Sequence, residues 1–246
     1  MPVLNEKLKW LLEKPIAHRG LHSNNGKCPE NSIKAFKRAI EYGFPIELDV
    51  RLSRDEKIIV FHDSSLERMT GVRKRISDCE YSEIRKYNLY DSDQKIPLLT
   101  EVLEIVNNRV PLLIEIKNEK YPGRLEKNLW EVLRDYEGQY AIQSFNPFTI
   151  LWFKRKAPHL VCGILSCSFT EEDMVWVKKM ILKNMYLNKF ISPDFIAYNI
   201  HDMPNKRIIK FKEKGFIILG WTVKNKEEEK FARKYCDNII FEGYMP

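Results

Sequence analysis

Short apolar runs, each about the length of a strand, alternate along this chain with longer segments whose apolar residues return at helical spacing. No other feature constrains the fold so strongly. A strand followed by a crossover helix leads into a parallel neighbour, so a repeated strand-helix order means a parallel sheet with helices outside it. Eight runs read as strands, over 15–18, 46–51, 112–117, 140–144, 161–165, 195–198, 216–223 and 238–242. Helix candidates lie between them at 32–42, 100–107, 123–136, 147–156, 171–187, 205–214 and 226–234. Eight strands in 246 residues suit a closed α/β fold, the TIM (β/α)8 barrel, as one domain over residues 1–246.

Two segments break the alternation. After the second strand, Arg51-Leu52-Ser53-Arg54-Asp55-Glu56-Lys57 leads straight into Ile58-Ile59-Val60-Phe61. So short a connection has no room for a crossover helix, and the two runs must pair as an antiparallel hairpin. A turn over 54–57 sets Asp49 across from His62. The hairpin opens an insertion over about 52–95, of which 63–95 is charged and polar and reads as a small lid or flank. The other break is 5–12, where Leu8, Leu11 and Leu12 make a short amphipathic helix before the first strand. It is too short and too weakly apolar for an interfacial anchor, and it reads as a plug for the barrel floor.

Composition excludes several classes of protein. Five cysteines, Cys28, Cys79, Cys162, Cys167 and Cys236, are an odd number without a CxxC pair, which fits a reducing compartment and neither a disulfide framework nor a thiolate zinc site. The start of the chain lacks the features of a secretory leader, and no apolar stretch is long enough to span a membrane, so a cytoplasmic protein without a transmembrane segment is expected. The formal charge of +7 is spread along the chain. The short basic runs at 72–75 and 153–156 lack the aromatic or recognition-helix pattern of a nucleic-acid binder and read as solvated surface.

In a barrel of this kind the chemistry sits where strands end. The first strand closes with Ala17-His18-Arg19-Gly20: a proton carrier near neutrality, a planar cation suited to phosphate, and a glycine that admits close backbone approach. The second carries Glu47-Leu48-Asp49, two carboxylates on one face of a strand. Facing inward they require a cation, whereas facing outward they would pair with helix side chains, and their spacing fits both arrangements. Glu115, in Ile114-Glu115-Ile116-Lys117, adds a third carboxylate at a neighbouring strand end and turns the reading toward a metal site. Oxygen donors of this kind select Mg²⁺ or Ca²⁺. His22, His159 and His201 lie off the strand-end pattern and are read as surface, and Cys28 as an inert thiol.

Taken in order, nine segments resemble the glycerophosphodiester phosphodiesterase family over nearly the whole chain. They are His18-Arg19-Gly20, Pro29-Glu30-Asn31-Ser32, Glu47-Leu48-Asp49-Val50, Phe61-His62-Asp63, Leu66-Glu67-Arg68-Met69-Thr70-Gly71, Ile96-Pro97-Leu98-Leu99, Glu115-Ile116-Lys117, Gln143-Ser144-Phe145-Asn146 and Gly220-Trp221-Thr222-Val223. The resemblance implies a hydrolase that splits a small-molecule glycerophosphodiester into sn-glycerol 3-phosphate and an alcohol. It implies that His18 and His62 are the general acid-base pair, that Glu47, Asp49 and Glu115 hold one divalent cation, and that Arg19 and Lys117 bind phosphate. On the same basis Trp221 is assigned a contact with substrate. One departure lies at the end of the eighth strand, where Ile240-Phe241-Glu242-Gly243 replaces the family's shorter acidic or Asn ending before proline. Two other functions fit the same residues: a related barrel phospholipase acting on intact phospholipids, and a non-catalytic phosphodiester-binding module.

Overall fold

The computed structural model describes residues 6–23, 26–118, 121–170 and 176–246. Along the chain run α1 (Trp10–Glu13), β1 (Ile16–Ala17), α2 (Ile33–Glu41), β2 (Ile46–Leu52), β3 (Ile58–Val60), α3 (Glu67–Thr70), α4 (Tyr81–Ile84), α5 (Leu99–Val106), β4 (Leu112–Ile116) and α6 (Arg124–Leu133). There follow β5 (Tyr140–Ser144), α7 (Pro147–Lys156), β6 (Cys162–Ser166), α8 (Trp176–Lys183), α9 (Asn188–Ile191), β7 (Phe195–Asn199), α10 (Lys206–Glu213), β8 (Ile217–Val223), α11 (Lys226–Ala232) and β9 (Asn238–Phe241). All strands but β3 alternate with helices in the order of a TIM (β/α)8 barrel, the fold class expected from the sequence. The expected strands match these to within one residue at either end. The helix expected over 171–187 is α8, which stops at Lys183, followed by a separate α9; Met185 between them is left-handed at φ 50°, and 171–175 fall outside the described residues.

By internal contacts the chain divides into two compact units. In the first, Ile16–Tyr140, β2 is the central strand. It pairs in parallel with β1, Ala17 opposite Ile46, and with β4 from Ile46–Leu112 through Val50–Ile116. Ser32 starts α2 by accepting a hydrogen bond from the Ala35 amide, which satisfies one of the donors that a helix N-terminus leaves open.

The hairpin forms, with a register one residue from the expected one. Val50 pairs with Val60, Arg51 with Ile59 and Leu52 with Ile58, so the Phe61 amide, not His62, donates to Asp49 O. The cause is the turn. Ser53 N donates to Lys57 O and Glu56 N to Ser53 O, so three residues loop out, and Glu56 at φ 61° takes the left-handed position that such a loop needs. The insertion is also better packed than its polar composition suggests. Ile59, Phe61, Leu66, Met69, Ile76, Cys79, Tyr81, Ile84, Leu89 and Ile96 form a buried cluster of their own, with α3 and α4 carrying part of it.

The second unit comprises residues up to Pro15 and Ala141–Pro246. Here β6, β7, β8 and β9 pair in parallel in that order, and β5 pairs with β6. Asn146 caps α7 ahead of Pro147, and Asn205 and Asn225 cap α10 and α11. In the N-terminal segment a 3-10 turn over Glu6–Leu8 precedes α1, and Asn5 lies outside the described residues. The buried pair is Trp10 and Leu11, and Leu12 is exposed, because the helix is a single turn. Asn238 on β9 donates to Leu11 O at 2.7 Å and Lys14 O at 2.6 Å, which ties the segment down. Among the described residues no helix is long and apolar enough to cross a membrane.

Candidate active site

Glu47 and Asp49 alternate along β2 with Leu48 and Val50, so the strand turns its carboxylates to one face and its aliphatics to the other. The parallel register puts Asp49 opposite Glu115 on β4. Ligand oxygens of Glu47, Asp49 and Glu115 lie within 4.8 Å of one another, and the three residues are 1%, 0% and 6% exposed. Three carboxylates so close and so dry require positive charge nearby.

Two cations answer part of that need. Lys117, just past β4, places Nζ 3.1 Å from Asp49 Oδ1 and 2.5 Å from Glu115 Oε1. Arg19 donates its amide to Glu47 Oε2 at 3.0 Å, while its guanidinium meets Asp49 Oδ2 at 3.2 Å and Glu30 Oε1 at 2.7 Å. Arg19 reaches these partners from a left-handed backbone at φ 52°, and Gly20 follows at φ 79°. A side chain at Gly20 would meet Phe36 Cδ1 at 2.9 Å and Ala35 at 3.0 Å, so the tight turn after β1 depends on glycine there.

His18 lies at the same strand end, its Nε2 4.0 Å from Glu47 Oε2. His62 comes from the far side of the hairpin, where Arg51 Nε donates to its carbonyl at 2.7 Å. Its Nδ1 is 2.6 Å from Asp63 Oδ1, and Asp63 is held in turn by Arg68, Nε to Oδ2 at 2.6 Å. Arg68 also donates to Glu30 Oε1 at 2.7 Å, and Glu30 accepts from Arg19. One chain of charged contacts thus runs from His62 through Asp63, Arg68 and Glu30 to Arg19 and the carboxylates. Burial acts to raise the Asp63 carboxyl, yet His62 and Arg68 hold it well below the usual carboxylate range. An ionised Asp63 keeps the proton on Nδ1 and leaves Nε2 to exchange one.

Seven of the eight residues expected to form the site therefore lie together in the first unit: His18, Arg19, Glu47, Asp49, His62, Glu115 and Lys117. Trp221 lies in the second, on β8, edge-on to Phe145 at 5.6 Å between ring centres, with its Nε1 buried and, among the described residues, without a hydrogen-bond partner. Glu242, the departure at the last strand, pairs with Lys224 at 3.2 Å. Four residues of the network carried no assigned role: Glu30, Asn31, Asp63 and Arg68. Asn31 is the most buried of them, 2% exposed, and donates Nδ2 to Asp49 Oδ2 at 2.8 Å. All four sit within matched segments, and Asp63 follows His62 directly, so adjacency to an assigned residue was the available signal.

The electrostatics show how short of positive charge the trio is. Burial, Asp49 and Glu115 together push the Glu47 carboxyl well above its ordinary value despite Arg19. Burial acts in the same direction on Asp49, but Lys117 and Arg19 hold it far below. Among the described residues Asp49 Oδ1 and Glu115 Oε1 have no well-directed hydrogen bond, although the Lys117 ammonium stands close to both. Three carboxylates against two cations, one of them shared with Glu30, leave a deficit that a divalent cation fits, and the trio can hold a metal ion. A cavity of about 540 Å³ opens beside Lys117, lined by Arg51, Ser53, Arg75 and Asn118 among others.

Together these residues can neutralise an anion, hold a metal ion and move a proton, a combination that suits hydrolysis of a phosphate ester. The model of the glycerophosphoryl diester phosphodiesterase family matches residues 18–241. A glycerophosphodiester phosphodiesterase from Caldanaerobacter subterraneus subsp. tengcongensis is 34% identical over 92% of each chain. A human lysophospholipase D is 34% identical over 54% of this chain and 45% of its own. The solved structure of an Oleispira antarctica phosphodiesterase, in complex with the product sn-glycerol-3-phosphate, superimposes with a TM-score of 0.79 over 94% of this chain and 93% of that one, at 22% identity, a likeness of fold. The chain belongs to the glycerophosphoryl diester phosphodiesterase family, and it is an enzyme of that class.

Proposed function

We propose that this enzyme hydrolyses glycerophosphodiesters to sn-glycerol 3-phosphate and an alcohol, with Glu47, Asp49 and Glu115 holding one Mg²⁺ or Ca²⁺. The observation that carries the reading is the buried carboxylate trio, packed within 4.8 Å and flanked by Arg19 and Lys117. When bound, the cation polarises a phosphoryl oxygen and lowers the cost of charge at phosphorus. Arg19 and Lys117 offset the charge of the phosphodiester and orient it. His18 takes the proton of the attacking hydroxyl, supplied by water, or by the substrate's own glycerol 2-hydroxyl to give first a cyclic phosphate that water then opens to sn-glycerol 3-phosphate. His62, with Asp63 on Nδ1, gives a proton from Nε2 to the leaving alcohol. Trp221 is proposed as a substrate contact from the resemblance and from its Nε1–H, which has no partner among the described residues. The setting proposed is the cytoplasm, where such a reaction would recover glycerol phosphate from deacylated lipids, and the family match over 18–241 supports one catalytic domain.

The test is a coupled assay for sn-glycerol 3-phosphate released from glycerophosphocholine and glycerophosphoethanolamine, with Mg²⁺, Ca²⁺ or EDTA, on wild type and His62→Ala. Release that needs metal and falls by about 10²- to 10⁴-fold in the variant supports the reading. The human relative named for a lipid substrate makes lysophosphatidylcholine the third substrate to include. Hydrolysis of that lipid alone would move the assignment to a phospholipase.

A further inference from the structure

The second unit holds a cavity of about 680 Å³ formed by residues from Asn184 to Lys189, from α10 and from Phe216. Among the described residues that line it five are cations, Lys189, Lys206, Arg207, Lys210 and Lys214, and none is acidic. Among the described residues none of the five forms an ion pair, whereas nearby Lys212 pairs with Asp237 at 3.0 Å and Lys154 with Asp194 at 2.5 Å. Lys206, Lys210 and Lys214 recur at every fourth position along α10 and its C-cap, a spacing at which like charges weaken a helix. An ordinary solvated surface mixes signs, and like charges converging on a concavity focus the field of an anion site.

The uncharged lining points the same way. Asn188, which lines the cavity, is 7% exposed, and among the described residues its Nδ2 is a buried donor without an acceptor. Tyr186 is half exposed, with the Arg207 guanidinium 5.0 Å over its ring, and Phe211 and Phe216 meet edge-on at 5.3 Å. Rings beside unpaired cations suit a ligand with a flat or apolar body as well as charge.

We propose that this cavity binds a soluble phosphate ester that carries more than one negative charge on a flat or apolar body, in the unit that does not contain Glu47, Asp49 and Glu115. The test titrates inorganic pyrophosphate and ATP into the enzyme while backbone amide shifts are followed by NMR. Expected are saturable shifts over 184–216, tighter binding of ATP than of pyrophosphate, and about tenfold weaker binding in Lys206→Ala/Lys210→Ala. That variant should keep wild-type hydrolysis and melt no lower than wild type, since it removes only exposed, mutually repelling charges. Lys189→Ala on α9 is the second variant, with the same weakening expected. Shifts confined to 18–19, 47–49 and 115–117, or unchanged affinity in both variants, would overturn the proposal. So would attachment to phosphatidylglycerol vesicles without a saturable response to either small anion, which would make this a lipid-facing surface.

Discussion

Asp63 Oδ1 stands 2.6 Å from Nδ1 of His62, while the other oxygen of the same carboxylate stands 2.6 Å from Nε of Arg68. Arg68 fixes the aspartate, and the aspartate fixes both the orientation and the protonated nitrogen of the imidazole. In Asp63→Asn the amide can offer a donor to Nδ1 and favour the wrong tautomer, without the charge that stabilises an imidazolium. Turnover should fall on the order of 10²- to 10⁴-fold with little change in KM. Steady-state kinetics across pH check this, and a wild-type kcat at every pH would show that His62 works without Asp63.

Loss of one member of the carboxylate trio should appear as metal affinity before anything else. Glu115→Gln keeps the shape of the side chain on β4 but removes a charge that now faces Lys117 at 2.5 Å. The metal concentration for half-maximal activity should rise by at least the roughly 10- to 100-fold that loss of an outer partner of a metal ligand costs. Activation curves with Mg²⁺ and Ca²⁺ measure it directly. Superimposable curves for wild type and variant would remove Glu115 from the metal site.

The Arg68 network should be an acid-sensitive source of stability. Burial acts to raise Glu30 and Asp63, but Arg68 and Arg19 together at Glu30, and His62 and Arg68 together at Asp63, outweigh it, so each carboxyl lies below its ordinary value in the folded protein. A group depressed in this way binds its proton more readily in the unfolded chain. Its contribution is complete above the ordinary carboxylate range, about pH 4, and is lost as pH falls toward the folded value. Arg68→Ala should therefore lie furthest below wild type in urea unfolding near about pH 7, with the gap narrowing near about pH 3. An equal gap at both would assign the effect of Arg68 to packing.

The parts of this molecule that were legible in the sequence are those written in local patterns. Strand bounds followed from apolar runs, and the Glu47-Leu48-Asp49 alternation placed two carboxylates on one face because a strand has a period of two. The hairpin register was missed by one residue because it depends on Glu56 taking a left-handed conformation, which a non-glycine residue does not advertise. The packed core of the insertion was hidden for a related reason: Leu66, Met69, Ile76, Ile84 and Leu89 are spread among charges and show no single period. Links such as Arg68–Glu30 and Asn31–Asp49 join residues far apart in the chain, and only the fold brings them into contact. At the second cavity four of the five cations lie close together over 206–214, and only Lys189 is brought to them by the fold.

Gly20 supplies a test of how much the site depends on its turn. Its φ of 79° places it in the left-handed region, and a Cβ there would stand 2.9 Å from Phe36 Cδ1 and 3.0 Å from both the Ala35 carbonyl carbon and its side chain. Gly71 makes a matched control, since it has nearly the same backbone, φ 74°, and a Cβ there would meet nothing within 4 Å among the described residues. Gly71→Ala should cost about 1–2 kcal/mol, the backbone penalty alone. Gly20→Ala should cost that and a further ~1–3 kcal/mol of overpacking, because the obstructing atoms belong to a buried ring and to helix backbone. Relief of the clash would push the turn away from α2 and carry the Arg19 amide off Glu47 Oε2, now 3.0 Å away, so Gly20→Ala should also lower kcat while Gly71→Ala leaves it unchanged. Paired urea unfolding and kinetics on the two variants separate these effects, and equal losses in both would mean that the turn after β1 has room to spare.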